Sequence, residues 1–252
     1  MDENIELLIN EFKKISKKGW IKSINKSFGS VGLTFENELG KKPDAMYFPD
    51  YCGIEIKCTS KYSKYPLYLF TAAFDGPTFP EINTIVEKYG WNDKDYPDKK
   101  VLYAKLGFKE KKLINNNYKF KLTFNDTKDK IYLCVYDLND NLIEKESFIY
   151  VDTLYNHFIL KLNILALIYA TTKNEKQEKY FRYYKMIIYK VTSFERFLTL
   201  LENDIIKVDL ISRMNKSGID AGRYRNKNLV FYIYKDKMEK LLKEICSYNN
   251  DY

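Results

Sequence analysis

The chain has 252 residues, 45 % hydrophobic and 30 % charged, which excludes a disordered chain and leaves apolar side chains enough to fill a sizeable core. Forty-two lysines and arginines against 34 aspartates and glutamates give a formal charge of +8. A balance of that sign points to a polyanionic partner, nucleic acid or an acidic membrane surface, although the abundance of Lys, Asn, Ile and Tyr is also what an A·T-rich coding sequence produces.

Taken in chain order, the opening segment predicts an amphipathic helix. Asp2 caps it, Ile5, Leu8, Ile9 and Phe12 share a face, and Gly19 follows its basic last turn. Gly29 and Ser30 introduce a second helix, "VGLTFENELG", ending at Gly40. Next comes "PDAMYFPDYCGIEIKCT", Pro43 to Thr59, read as a strand, with "PLYLFT" (66–71) as a short apolar partner. "EINTIVEKYG" is a helix after Pro80, closed by Gly90.

The middle turns to a period of two. "KFKLTF", "IYLCVYD" and "ESFIYV" predict an antiparallel meander joined by "NDTKDK" and "LNDN", and a helix carries His157 near its end. Two further strands, "NILALIYA" and "KMIIYKV", flank a charged connection. Thr192 with Glu195 forms a capping-box pattern for "SFERFLTLLEND", and a strand "IKVDLIS" follows. Arg213 to Lys227 reads as a long polar loop with five basic residues, and a final helix starts at Asp236. The expected architecture is a mixed α/β single domain over 1–252, a central mixed sheet flanked by helices, with a β-rich subdomain at about 100–190.

Cys52, Cys58, Cys134 and Cys246 have neither metal-ligand spacing nor the density of a disulfide scaffold, so free thiols in a reducing compartment are expected. The start "MDENIELLIN" carries acids where a signal peptide needs bases, and no apolar run approaches the ~18 residues of a membrane span. A soluble, cytoplasmic protein is the expectation. The single histidine, His157, rules out chemistry needing two imidazoles in one chain and reads as structural.

The chemistry lies at Pro49 to Lys57. Alternation sends Gly53, Glu55 and Lys57 to one face of the strand and Ile54, Ile56 and Cys58 to the other. Asp50 precedes Glu55 by a turn-sized gap, which brings the two carboxylates together as hard oxygen ligands for Mg²⁺, with Lys57 on the same side. That set suits phosphodiester hydrolysis, in which a metal polarises the phosphate and lowers the pKa of a bound water while an ammonium helps place the nucleophile. The spacing of Glu55 and Lys57 alone decides nothing, since Glu110 and Lys112 repeat it in a solvated run. A later Pro-Asp, at Asp98, is followed by Tyr103 two residues before Lys105 and lacks the second acid. The competing view makes Glu55 and Lys57 the solvent face of an edge strand and Asp50 a turn residue.

"GLTFENELG", "PDYCGIEIKCT", "PLYLFT", the helix from Asn83 to Gly90 and the C-terminal "IKVDLISRMNKSGIDAGRYRNKNLVFYIYKDKMEKLL" together resemble the MvaI/BcnI restriction endonucleases, relatives of the mismatch-repair nickase MutH. The likeness spans most of the chain, and its one specific motif is of the PD-(D/E)xK type. It implies that Asp50 and Glu55 are metal-binding acids, that Lys57 is the catalytic lysine, and that Glu36 is a helical glutamate beside the active site; the plain alternative for Glu36 is a solvated helix acid. Asp44, eleven residues before Glu55, is a rival first ligand. The resemblance implies sequence-specific cleavage of double-stranded DNA with Mg²⁺ by a monomer, leaving 5′-phosphate ends; whether a cognate DNA methyltransferase accompanies the protein stays open. A MutH-like nickase and a DNA-binding protein without catalysis stay open beside it. For DNA contact it favours Arg213, Arg223 and Arg225, with Lys216 and Ser217 in the same loop, through base edges or phosphates. The 23 tyrosines fall mostly at strand positions and read as core or sheet surface.

Overall fold

In the computed structural model, which describes residues 2–27, 29–40 and 49–250, the elements begin with α1 (Glu3–Lys17), β1 (Ile21–Lys22), α2 (Ser30–Glu38), β2 (Glu55–Ser60) and β3 (Leu67–Ala72). There follow α3 (Glu81–Tyr89), β4 (Trp91–Asn92), β5 (Lys100–Leu106), β6 (Lys112–Ile114), β7 (Tyr118–Phe124), β8 (Lys130–Tyr136), β9 (Leu142–Glu144) and β10 (Phe148–Tyr150). The remainder is α4 (Val151–Leu162), β11 (Ile164–Glu175), β12 (Glu178–Val191), α5 (Phe194–Glu202), β13 (Ile206–Met214), β14 (Tyr224–Ile233), a 3₁₀ turn (Lys235–Lys240) and β15 (Leu242–Asn249). Mixed α/β architecture is what the alternation of periods predicted. Among the described residues no helix is long and apolar enough to cross a membrane.

Two compact units emerge. The first comprises Met1–Tyr65, Ile159–Thr192 and Leu241–Tyr252. Its sheet runs β1-β12-β11-β2, with β15 also paired to β12; β2 lies parallel to β11 and the other pairs are antiparallel, so the sheet is mixed. Asp2 caps α1 by accepting the Asn4 amide at 2.9 Å, and the helix drives Ile5, Leu8, Phe12 and Ile15 into a core. Phe35 of α2, Ile54, Ile56, Ala166, Ile168 and Tyr183 complete that core, which covers one face of the sheet.

The second unit comprises Pro66–Phe158 and Ser193–Lys240. It holds an antiparallel sheet in the order β3-β14-β13-β5-β4 and another in the order β10-β8-β7-β6, with β9 on β8. The meander predicted from the period of two is the β7, β8 and β10 set. Residues 100–190 are shared: β5 to β10 belong to this unit, β11 and β12 to the first.

Four local expectations change. β3 is no partner of β2; it pairs with β14, while β2 takes β11, more than a hundred residues away. The charged connection between the two late strands is itself strand: β11 and β12 continue to a two-residue turn at Lys176 and Gln177, both with positive φ, because Phe181 and Tyr183 keep burying on the ribbon's inner side. The cap of α5 is Ser193, whose side chain accepts the Arg196 amide at 3.1 Å, one residue after the expected Thr192. The final helix from Asp236 is only the 3₁₀ turn, and the rest of that segment pairs as β15 with β12, where a free strand edge outweighs helical spacing. Gly90 closes α3 as expected, but with an extended backbone; glycine is required because a Cβ would press on the Val86 and Val101 carbonyl oxygens.

Candidate active site and nucleic-acid interface

The ribbon that carries the acids is a tight hairpin. Tyr51 and Ile54 exchange backbone hydrogen bonds of 3.0 and 2.8 Å, and between them Cys52 and Gly53 take φ of +45° and +82°. Positive φ at both central residues is the turn whose twist suits a two-residue hairpin, and Gly53 supplies half of it without strain. Asp50 therefore folds back alongside the start of β2. Its Oδ2 accepts the Ile56 amide at 3.0 Å, satisfying a donor on the strand that ends the sheet.

Glu55 is buried, 4 % exposed, so it does not occupy a solvated edge face. Its Oε1 accepts from Lys57 Nζ at 2.6 Å, and its Oε2 accepts from Lys161 Nζ at 3.2 Å. The register explains both contacts. Glu55 and Lys57 are two residues apart and share a strand face, opposite Leu165 and Leu167 of β11. Lys161 sits in the last turn of α4, just before β11 begins. Two ammonium groups thus satisfy an enclosed carboxylate, and removing one partner costs about 3–5 kcal/mol in comparable buried pairs.

Glu36 meets β2 at Cys58. A Cβ at Gly32 would lie 3.6 Å from Glu36 Oε1 and 4.0 Å from Cys58 Cβ, which puts the glutamate of α2 over the strand face carrying Ile54 and Ile56. Burial pushes the Cys58 thiol well up; the nearby Glu36 and Asp50 carboxylates add to this and Lys57 opposes it. Glu36 and Asp50 thus both act on one strand position. Asp44 lies outside the described residues.

Asp50 and Glu55 offer anionic oxygen only, the donor chemistry that a hard divalent ion takes. Among the described residues no group of three His, Cys, Asp or Glu side chains is gathered to hold a metal. Two carboxylates with water and a phosphate oxygen are the set by which Mg²⁺ is commonly held, and these residues fit it.

In the second unit the predicted loop is shorter than expected. β13 and β14 extend to Met214 and Tyr224, so Arg213 and Arg225 are strand residues opposite each other, and only 215–223 is irregular. Arg223 is exposed and paired with Asp220 at 3.0 Å. Ser217 is exposed near the loop tip. Lys216 is bound to Asp93 and, at 2.8 Å, to Asp95 of the β4 to β5 connection, an anchor that the sequence reading missed.

The model of the MvaI/BcnI restriction endonuclease family matches residues 9–242. The chain belongs to this family. A solved structure described as "Restriction endonuclease MvaI-cognate DNA substrate complex" is 27 % identical, with 98 % of this chain and 100 % of that chain covered and a TM-score of 0.88. The same enzyme "in the absence of DNA" is 24 % identical over 98 % and 99 % of the two chains, with a TM-score of 0.60, a likeness of fold. No curated protein gives a match. Within this MvaI/BcnI family member, the hairpin motif was readable because all its parts fall within eight residues, 50 to 57. Lys161 was not: it reaches Glu55 from 106 residues away, and only the pairing of β11 with β2 reveals it.

Proposed function

We propose that the protein is a type II restriction endonuclease that hydrolyses phosphodiester bonds of double-stranded DNA with Mg²⁺. The observation that carries this reading is the Glu55 and Lys57 pair, 2.6 Å apart on the strand that leads out of the Asp50 hairpin. The family membership and the likeness to a structure of MvaI with its cognate DNA support it.

In this reading Asp50 and Glu55 hold the metal, which when bound supplies polarisation of the phosphate and a water of lowered pKa. Lys57 keeps its ammonium beside Glu55, where it orients the attacking water and offsets charge that develops on the phosphate oxygens. Glu36 adds negative charge beside Cys58, on the α2 side of β2, and would contribute to the field at the metal site from there. Arg213, Arg223 and Arg225 grip phosphates or read guanine edges, and Ser217 donates from the loop tip. Lys216 contributes by holding the loop. The protein works as a cytoplasmic monomer that cuts the two strands in turn, leaving 5′-phosphate ends, in a system with a methyltransferase.

Supercoiled plasmid incubated with the protein and Mg²⁺ provides the test, followed by sequencing of the fragment ends. Linear product with defined ends is expected, and Lys57→Ala is expected to abolish it while leaving DNA binding largely intact. Open circles that never become linear would replace this reading with a nickase. Plasmid left intact by the wild-type protein would leave a binding protein only.

A further inference from the structure

Glu55 carries two ammonium groups where the strand motif accounts for one. Lys57 takes Oε1, and Lys161 takes Oε2 at 3.2 Å. We propose that Lys161 is a positioning residue that competes with the divalent ion for Glu55 and so sets the metal affinity of the site. This rests on the reading that Asp50 and Glu55 hold that ion.

Two observations and one physical argument carry the proposal. The Glu55 side chain is 5 % exposed and the Lys161 side chain 15 %, so water does little to screen the pair. Lys161 is also fixed in place. It leaves the last turn of α4 immediately before β11, whose Leu165 is the register partner of Glu55, so backbone pairing brings its ammonium to the carboxylate. Finally, the two cations seek the same group: Mg²⁺ binds carboxylate oxygens at about 2.0–2.1 Å, and a second positive charge on that carboxylate raises the cost of placing it there. Lys57 is the nearer partner, on the other oxygen, and remains with Glu55 when Lys161 is displaced.

A purely structural Lys161 would stabilise the fold and leave metal affinity alone. The two roles separate in Mn²⁺ binding to the protein without DNA, followed by the electron paramagnetic resonance of free Mn²⁺. K161M is expected to bind Mn²⁺ about tenfold more tightly than wild type, as the removal of one neighbouring charge predicts. K161R, which keeps the charge, is expected to stay within about twofold of wild type. In single-turnover cleavage K161M should reach its half-maximal rate at lower Mg²⁺. If K161M does not fold, K161Q makes the same comparison. Unchanged or weaker Mn²⁺ binding in the uncharged variant, with wild type binding and cutting normally, overturns the role of Lys161 alone. A wild-type protein that neither binds Mn²⁺ nor cuts DNA overturns the metal reading, and this proposal with it.

Discussion

Arg213 and Arg225 stand directly opposite each other in the β13–β14 ladder, both exposed, so one cross-strand position carries two positive charges. Like charges so placed repel, and an isolated sheet gains nothing from them. Lys227 reports the same field: burial lowers its pKa first, and Arg225 and Arg213 lower it further. A polyanion would turn this repulsion into attraction. R213A and R225A are each expected to weaken DNA binding and to reduce the slope of log affinity against log salt by about 1, while the melting temperature of the free protein holds or rises. Fluorescence anisotropy over a salt series, with melting curves, measures both; a slope unchanged in both variants would remove these arginines from the phosphate contacts.

Lys216 should behave differently. Its ammonium is bound to Asp93 and Asp95, so it holds the 215–223 loop to the β4–β5 connection. The same bond, with the Asp95 and Tyr96 amides, keeps the Asp93 carboxyl below its usual pKa, although burial opposes this. K216A is therefore expected to weaken DNA binding by loosening the loop, with the salt slope of wild type retained. D93N should reproduce that loss, and the double variant should be no worse than either alone. Additive losses would mean that the lysine acts on DNA directly.

Asp50 has two jobs that a pair of variants can divide. Its carboxylate accepts the Ile56 amide at 3.0 Å, and it is the first metal ligand in the proposed mechanism. Asn keeps an acceptor oxygen for that amide but loses the charge. D50N should therefore keep the wild-type melting temperature and lose cleavage, whereas D50A should lose cleavage and about 1 kcal/mol of stability as well. Cleavage by D50N at the wild-type rate would assign the metal elsewhere, with Asp44 the next candidate to replace.

What the sequence revealed here follows the range of the interactions. The Asp2 cap, the α1 face and the Asp50 hairpin are local, and each was readable because its partners lie within one or two turns of chain. The segment read as a final helix from Asp236 misled for the opposite reason. Its spacing satisfies a helix, but β12 offers an unpaired edge, and Ile188 takes Cys246 as its partner. The same limit hid Lys161 and the Asp93 anchor, since their partners are brought together by the β2–β11 pairing and by the docking of a loop. Arg213 and Arg225 carry a loop signal because polar residues mark loops, yet a strand with a solvated face accepts them equally well.

The tyrosines predict how the protein fails in alkali. Tyr103 is 46 % exposed, yet desolvation around its hydroxyl and the hydrogen bond to Asp209 raise its pKa to about 12, and burial raises Tyr189 to about 12. Tyr89, Tyr183 and Tyr232 are pushed higher still, again mainly by burial. In the unfolded chain these phenols ionise near 10.0, so between that pH and their raised values the folded state holds protons that the unfolded state has released. Stability from these groups is complete below pH 10 and is lost as pH rises toward 12 and beyond. Absorbance of tyrosinate should therefore rise in two steps, exposed rings first and buried rings together with loss of the folded circular dichroism. Tyr232 donates to Asp209 at 3.1 Å and Tyr103 donates at 2.9 Å, so Y232F strips one donor from a carboxylate that is 6 % exposed. It is expected to cost about 1–3 kcal/mol at neutral pH and to make the alkaline step shallower, because one raised phenol is gone. A single ionisation step near pH 10 with the fold intact would show that Tyr89, Tyr183 and Tyr232 are open to solvent.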